Sequence, residues 1–287
     1  MRYATAPNFR TALEERIRQI AGRDGFAIQR IRKRVAFERF LARLQVPPDS
    51  PWFLKGAFAL DLRFGDRSRT TRDLDLGIDL SLMSDPTIAA AEIVHRLREG
   101  GGHQLQDFFV FSVPDEGEEI LREPGTHAYR FTVRASLADR PFEDFRVDVG
   151  AGLQLVTPVE EIPESDTLAF AGILPRRFRA ISLAQQLAEK VHAMTRPWED
   201  RENTRVKDLV DITLILESSP PEPKIARGAL EGIFEGRGTH KLPTKIPDPP
   251  AAWVGSYGVM AREIGLTHVA IDEATEFLRK YWSQLYP

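Results

Sequence analysis

Residues 69–76, Arg69-Thr70-Thr71-Arg72-Asp73-Leu74-Asp75-Leu76, decide how this chain is read. From Asp73 to Leu80 polar and apolar residues alternate, which predicts a strand. Side chains two apart on a strand point the same way, so Asp73 and Asp75 share one face and Leu74 and Leu76 take the other. Two hard oxygen ligands at that spacing can share Mg²⁺, which keeps several waters and draws its other ligands from a triphosphate. The same triplet also occurs on exposed strands and loops, so its neighbours have to carry part of the argument.

Upstream, Trp52-Phe53-Leu54 reads as a short strand, Lys55-Gly56 turns the chain, and Ala57 to Leu62 opens a helix. Glycine allows close approach of backbone, and the N–H groups at a helix start suit phosphate oxygens, so Lys55, Gly56 and Ala57 are candidate nucleotide contacts. An ordinary tight turn is the competing interpretation. Arg63, Arg67, Arg69 and Arg72 crowd the approach to Asp73. They are suited either to phosphate charge or to a solvated loop. Thr70 and Thr71 adjoin the acids, so a phosphate added to either would repel a triphosphate.

Downstream, Asp148 stands among strand formers in Phe145-Arg146-Val147-Asp148-Val149-Gly150. If its strand neighbours that of Asp73 and Asp75, three carboxylates converge, room for a two-ion site, and Asp148 can accept the proton of an attacking hydroxyl. The alternative is a strand-end aspartate paired with Arg146 or Arg134. Further on, Ser182 to Gln185 forms a capping-box pattern that starts a helix running to about Arg196. Leu183, Leu187 and Met194 mark its apolar stripe, and Lys190 falls where that stripe calls for an aliphatic residue. An inward lysine needs an anionic partner, unless its stem packs and its ammonium snorkels to water. A second helix over about Asn203–Glu217 places Asp208 and Asp211 on one face, and Asp211 can pair with Lys190 to orient it or as a structural salt bridge. His192 reads as a packing or hydrogen-bonding residue.

The remaining chain supplies context. Two helices run from Asn8 to about Leu44 with a break at Gly22 to Gly25, and a helix follows near Pro86–Leu97. Strand-like segments lie at Asp107–Val113, Ala128–Ala135 and Phe142–Val149. Residues 236–252 are rich in Gly and Pro and read as irregular, and Glu273–Leu285 reads as a last helix. One helical layer on a mixed sheet, then mainly helices, makes the fold class α+β.

Hydrophobic residues at 42% and charged residues at 28% of 287 are ordinary for a globular protein. No apolar run approaches the roughly 18 residues of a membrane helix, and the N-terminal segment lacks a signal-peptide stretch. With no cysteine there is no disulfide framework or thiolate site, and a reduced, cytoplasmic compartment is expected. The net charge of -3 argues against a uniformly basic nucleic-acid binder. Residues 1–46 nevertheless carry eleven Arg or Lys against Glu14, Glu15, Asp24 and Glu38. That excess suits either a polyanionic substrate or a solvated helical surface.

Leu54-Lys55-Gly56-Ala57-Phe58-Ala59-Leu60, Arg69 to Leu76, Val147-Asp148-Val149-Gly150, Glu189 to Arg196 and Arg205 to Asp211 together resemble the AbiEii/MenT family of nucleotidyltransferase-like toxins, within the DNA polymerase β-type superfamily. The resemblance implies a bilobed protein: basic helices over 1–46 packed on a nucleotidyltransferase core over 47–174, then a helical domain over 175–287. It implies Asp73 and Asp75 as the metal pair, Asp148 as a third carboxylate, Lys190 as the triphosphate contact and Asp211 as its acidic partner. Arg69, Thr71 and Asp208 join the nucleotide site. Many relatives have Gly-Gly or Gly-Ser where this chain has Gly56-Ala57, which changes the phosphate-binding turn. Such toxins are similar in transferring a nucleotide from an NTP to RNA with Mg²⁺, several of them to the 3′ acceptor end of tRNA, which blocks translation. A cognate antitoxin of winged-helix DNA-binding type is implied by the resemblance alone. Arg176, Arg177 and Arg179, with the basic N-terminal helices, are the expected tRNA-facing surface. Transfer to a small molecule or protein hydroxyl, and a silent nucleotide- or RNA-binding module, are the competing functions.

Overall fold

The computed structural model describes residues 2–25, 27–79, 90–120, 127–151, 155–197 and 202–287. The chain divides into two compact units. The first comprises residues 1–58, 70–153 and 160–180, and the second 59–69, 154–159 and 181–287.

In the first unit, α1 (Ala6–Asp24) begins with Pro7 in its first turn and ends at Gly25, whose φ of 72° is the left-handed conformation of a helix stop. Phe9, Leu13 and Ile17 recur at helical spacing and are buried together. In α2 (Ile28–Leu44) every residue from Val35 to Leu44 is buried, charges included. Arg39 donates to Asp107 at 2.7 Å and to Glu164 at 2.8 Å. Arg43 donates to both Asp107 oxygens, at 2.5 and 2.9 Å, and to the Phe109 carbonyl. These two arginines, 2% and 1% exposed, are internal anchors and not part of a basic surface. A charge can sit at that depth only with partners of opposite sign.

The sheet contains β1 (Trp52–Lys55), β2 (Asp73–Ile78), β3 (Phe109–Ser112), β4 (Glu118–Glu119), β5 (His127–Leu137), β6 (Arg140–Ala151), β7 (Glu160–Pro163) and β8 (Arg177–Ala180). Its order is β3-β5-β6-β2-β1-β8-β7, with β4 also on β5. The pairs β2–β6 and β1–β8 are parallel and the rest antiparallel, a mixed sheet as expected. Strands β5 and β6 are longer than expected. They form one hairpin closed by Ala138 and Asp139, at φ 52° and 55°, the backbone of a tight mirror-image turn without the usual glycine. Phe37, Phe40, Phe58, Phe109, Phe111, Phe142 and Phe145 interlock, with neighbouring rings 5.0–6.4 Å apart, and bind α2 to the sheet. Helix α3 (Gly56–Phe64) follows β1 and α4 (Ala90–Gly101) follows β2. The start expected for α4 near Pro86, and Leu80 at the expected end of β2, lie outside the described residues.

The second unit holds α5 (Leu183–Thr195), α6 (Val206–Ser218), α7 (Pro223–Arg237), α8 (Trp253–Glu263) and α9 (Ile271–Leu285) around one apolar core. The Ser182 hydroxyl caps α5 by accepting from the Gln185 backbone N–H at 3.0 Å, while Gln185 Oε1 accepts from the Val156 N–H. Helices α7 and α8 were not legible from periodicity. Helix α7 starts on the breaker Pro220-Pro221 with Glu222 as its cap, and α8 carries Gly255 and Gly258. Residues 59–69 are fastened by arginines. Arg63 donates to the Ile181 carbonyl at 2.7 Å and Arg67 pairs with Glu217 at 3.3 Å. Among the described residues no helix is long and apolar enough to cross a membrane.

Glu38, fully buried in α2, accepts from the Ser165 N–H at 3.0 Å and its hydroxyl at 2.9 Å. Burial, and next the charge of Glu164, push its pKa up to about 8. The folded protein therefore holds this proton where the unfolded chain has released it. Stability should fall as pH rises from the ordinary carboxylate value to about 8, by at most about 1.4 kcal/mol per pH unit from this group. Urea denaturation of wild type and Glu38→Gln at pH 5, 6.5 and 8 should show the variant gaining on the wild type with pH. A difference that does not change with pH would show that Glu38 ionises normally.

Candidate active site

The β1–α3 turn opens the acidic site of the first unit. Lys55 ends β1 and is the register partner of Asp75 on β2. Gly56 follows at φ 68°, and a Cβ built there would stand 2.2 Å from Asp75 Oδ2. Glycine is thus required twice, for its backbone conformation and for the aspartate laid against it. Ala57 is buried behind the turn. Thr71 donates its hydroxyl to the Asp73 carbonyl at 3.1 Å, steadying the entry to β2, and Thr70 is exposed.

Along β2 the exposure alternates, with Asp73 and Asp75 partly accessible and Leu74 and Leu76 buried, so the two acids do share a face. Parallel pairing with β6 brings Asp148 level with Asp75 and Arg146 level with Asp73. Residues level on neighbouring strands project to the same side, so the three carboxylates lie on one face of the sheet. Antiparallel pairing then sets Arg130 of β5 opposite Asp148. Lys55, Asp75, Asp148 and Arg130 therefore form one row across four strands.

Each flank of that row is basic, and the middle is two like charges side by side. Arg130 holds both Asp148 oxygens, Nε and Nη2 each at 2.8 Å, and Asp148 is 2% exposed. That hydrogen bond, against some loss from burial, raises the Arg130 pKa above its usual value. Arg146 Nε donates to Asp73 Oδ1 at 2.7 Å. The ion-pair alternative for Asp148 is corrected in its partner: Arg146 serves Asp73, and Arg134 faces Asp144, leaving Arg130. Arg130 went unnoticed because only the β5–β6 register brings it to Asp148.

Among the described residues no group of three or more acidic, histidine or cysteine side chains is arranged as a ready metal cage. The donor set still fits Mg²⁺, which is commonly held by one or two carboxylates with waters and substrate phosphates completing an octahedron. Asp73 and Asp75 are all-oxygen donors on one face, and Asp148 stands level with Asp75 beside them.

The second unit carries its own cluster. Lys190 on α5 is buried, 7% exposed, and donates to Asp211 Oδ2 at 2.5 Å and to Asp208 Oδ1 at 3.3 Å. Its ammonium is inside, which removes the snorkelling alternative. Burial pulls the Lys190 pKa down, but Asp211 and Asp208 outweigh it and hold the value above normal. Burial likewise raises Asp211, yet Lys190 and Arg69 more than offset it, so the carboxyl stays below its usual range. Arg69 grips Asp211 with Nε at 2.9 Å and Nη2 at 2.8 Å. His192 is buried and hydrogen-bonded to Thr239 at 2.8 Å, as a packing residue should be. Its ring lies 4.6 Å from that of His240, a neighbour that no sequence spacing indicated.

The first unit thus presents an acidic face on a mixed sheet, and the second holds a buried lysine–aspartate pair. A family model described as "Nucleotidyl transferase AbiEii toxin, Type IV TA system" matches residues 39–282, and the chain belongs to that family of toxin–antitoxin enzymes. A nucleoside triphosphate as substrate and an antitoxin as partner follow from that membership. In structure the chain is similar to MenT4, the nucleotidyltransferase toxin Rv2826c from Mycobacterium tuberculosis H37Rv. The TM-score is 0.58 at 20% identity, over 94% of this chain and 89% of the other, which establishes a shared fold. A crystal structure of a proposed nucleotidyltransferase from H. pylori aligns at a TM-score of 0.45 and 14% identity, over 90% of this chain and 98% of that one. No curated protein matches the sequence.

Gly56→Ala should cost about 1–3 kcal/mol, because it adds left-handed strain and displaces Asp75. In an Asp75→Gly background the same change should cost only the backbone part. Equal losses in the two backgrounds, measured by urea denaturation, would show that Asp75 does not press on Gly56.

Proposed function

We propose that this toxin transfers a nucleoside monophosphate from an NTP to an RNA 3′-hydroxyl in the cytoplasm, with the acceptor end of tRNA as its target. Translation would stop because an extended acceptor end cannot be charged. The observation that carries the reading is the row in which Asp75 and Asp148 stand level on neighbouring strands, two residues from Asp73 on the same face.

In this reading Asp73 and Asp75 hold Mg²⁺. When bound, the ion neutralises charge on the triphosphate and its departing pyrophosphate. Asp148, fixed by Arg130, lies beside Asp75 and accepts the proton of the attacking hydroxyl. The Lys55-Gly56-Ala57 turn and Thr71 border the phosphates. Lys190, held by Asp211 and Asp208, contributes a fixed positive charge to the triphosphate. Exposed Arg2, Arg18, Arg23, Arg176 and Arg177 remain as sequence-independent contacts to an RNA backbone. A winged-helix antitoxin is the partner we expect.

Total tRNA incubated with each of the four labelled NTPs and Mg²⁺ should be extended at its 3′ end. Asp73→Ala and Asp75→Ala should abolish the extension with the fold retained. Asp148→Asn should slow it by about 10²–10⁴-fold. Label appearing only on protein or on small metabolites would overturn the RNA target, and retained transfer by Asp73→Ala would overturn the metal assignment.

A further inference from the structure

Five ionic side chains in the second unit form an alternating chain: Arg205, Asp208, Lys190, Asp211, Arg69. The links are 3.7 Å from Arg205 to Asp208, 3.3 Å from Lys190 to Asp208, 2.5 Å from Lys190 to Asp211 and 2.8 Å from Arg69 to Asp211. Exposure falls from Arg205 to Asp211, which is 1% exposed. Charges this deep interact through a low dielectric, so the balance of the cluster matters more than any single contact.

Lys190 alone would be neutralised twice over by its two carboxylates. Such a lysine could do little for a triphosphate, because its charge would already be spent locally. Arg69 and Arg205, at either end of the chain, each add a cation that draws on those same carboxylates. Of the two, Arg69 is the better placed. Its Nε and Nη2 each take one Asp211 oxygen, and Oδ2 serves both Arg69 and Lys190. Three donors on two oxygens fix the plane of the carboxylate. A lysine at position 69 could supply the charge but not the two-pronged grip.

We propose that Arg69 is a positioning residue that shares Asp211 with Lys190, leaving the Lys190 charge to act on the triphosphate. This replaces the sequence-based expectation that Arg69 contacts the nucleotide itself, and it rests on the nucleotide reading given above. Arg69 then acts only through Lys190. A direct phosphate ligand would instead contribute independently and would tolerate lysine.

The test is equilibrium binding of the α,β-methylene analogues of the four ribonucleoside triphosphates, each with Mg²⁺. The proteins are wild type, Arg69→Met, Arg69→Lys, Lys190→Met and the Arg69→Met/Lys190→Met double variant. Arg69→Met should weaken binding about tenfold, and Arg69→Lys by nearly as much. In the Lys190→Met background the Arg69→Met change should have no further effect. Additive losses, or full binding by Arg69→Lys, would overturn the proposal and return Arg69 to the phosphate. The lysine variant keeps the local charge and so guards against a folding defect of the methionine variant. Wild type that binds none of the analogues would instead remove the nucleotide reading on which the proposal stands.

Discussion

The register of β2 against β6 is the constraint on which the acidic site of the first unit depends. Strand side chains alternate with a period of two, so a slip of one residue would turn Asp148 away from the face that carries Asp73 and Asp75. The register is held by burial, because Leu74, Leu76, Val147 and Val149 all lie fully inside and a slipped strand would bury carboxylates in their place. Apolar packing on one face therefore specifies the chemistry on the other. Gly56 adds a second constraint, since the turn after β1 leaves room for the Asp75 carboxylate only when no Cβ is present.

Charge is used in two ways. In the first unit Arg39, Arg43, Asp107 and Glu164 make a fully buried network that ties α2 to the chain around Asp107 and to the segment around Glu164. Replacing such a network by apolar residues often leaves stability unchanged or improved, whereas removing one partner strands a buried charge. Its contribution is therefore the placement of α2 more than net stability. In the second unit Lys190 shares its two carboxylates with Arg69 and Arg205.

Much of this was legible in the sequence, for physical reasons. Alternation from Asp73 onward, helical spacing in α1, and the cap at Ser182 are local signals, and each appeared in the expected place. A lysine in an apolar stripe announced the Lys190–Asp211 pair, because burial of an ammonium demands a carboxylate. What failed was information carried by distant pairing. Arg39 and Arg43 read as part of a basic surface because nothing near them in sequence reveals Asp107 and Glu164. The Arg69–Asp211 bond joins positions 142 apart, beyond the reach of any local spacing. Short β7 and β8 and the glycine-bearing α8 offered too little periodicity to register.

The same distinction explains how an acidic face can exist in a folded chain before any substrate arrives. Like charges level on neighbouring strands oppose sheet formation, and Asp75 and Asp148 are such a pair. Each of the three aspartates, however, has a basic residue level with it: Lys55 for Asp75, Arg146 for Asp73 and Arg130 for Asp148. Three acids are thus matched by three bases drawn from three strands, and the repulsion is offset within the sheet itself. A cation that binds these carboxylates does not rescue a strained structure, so the full interaction with the acids is tempered by competition with Arg130 and Arg146.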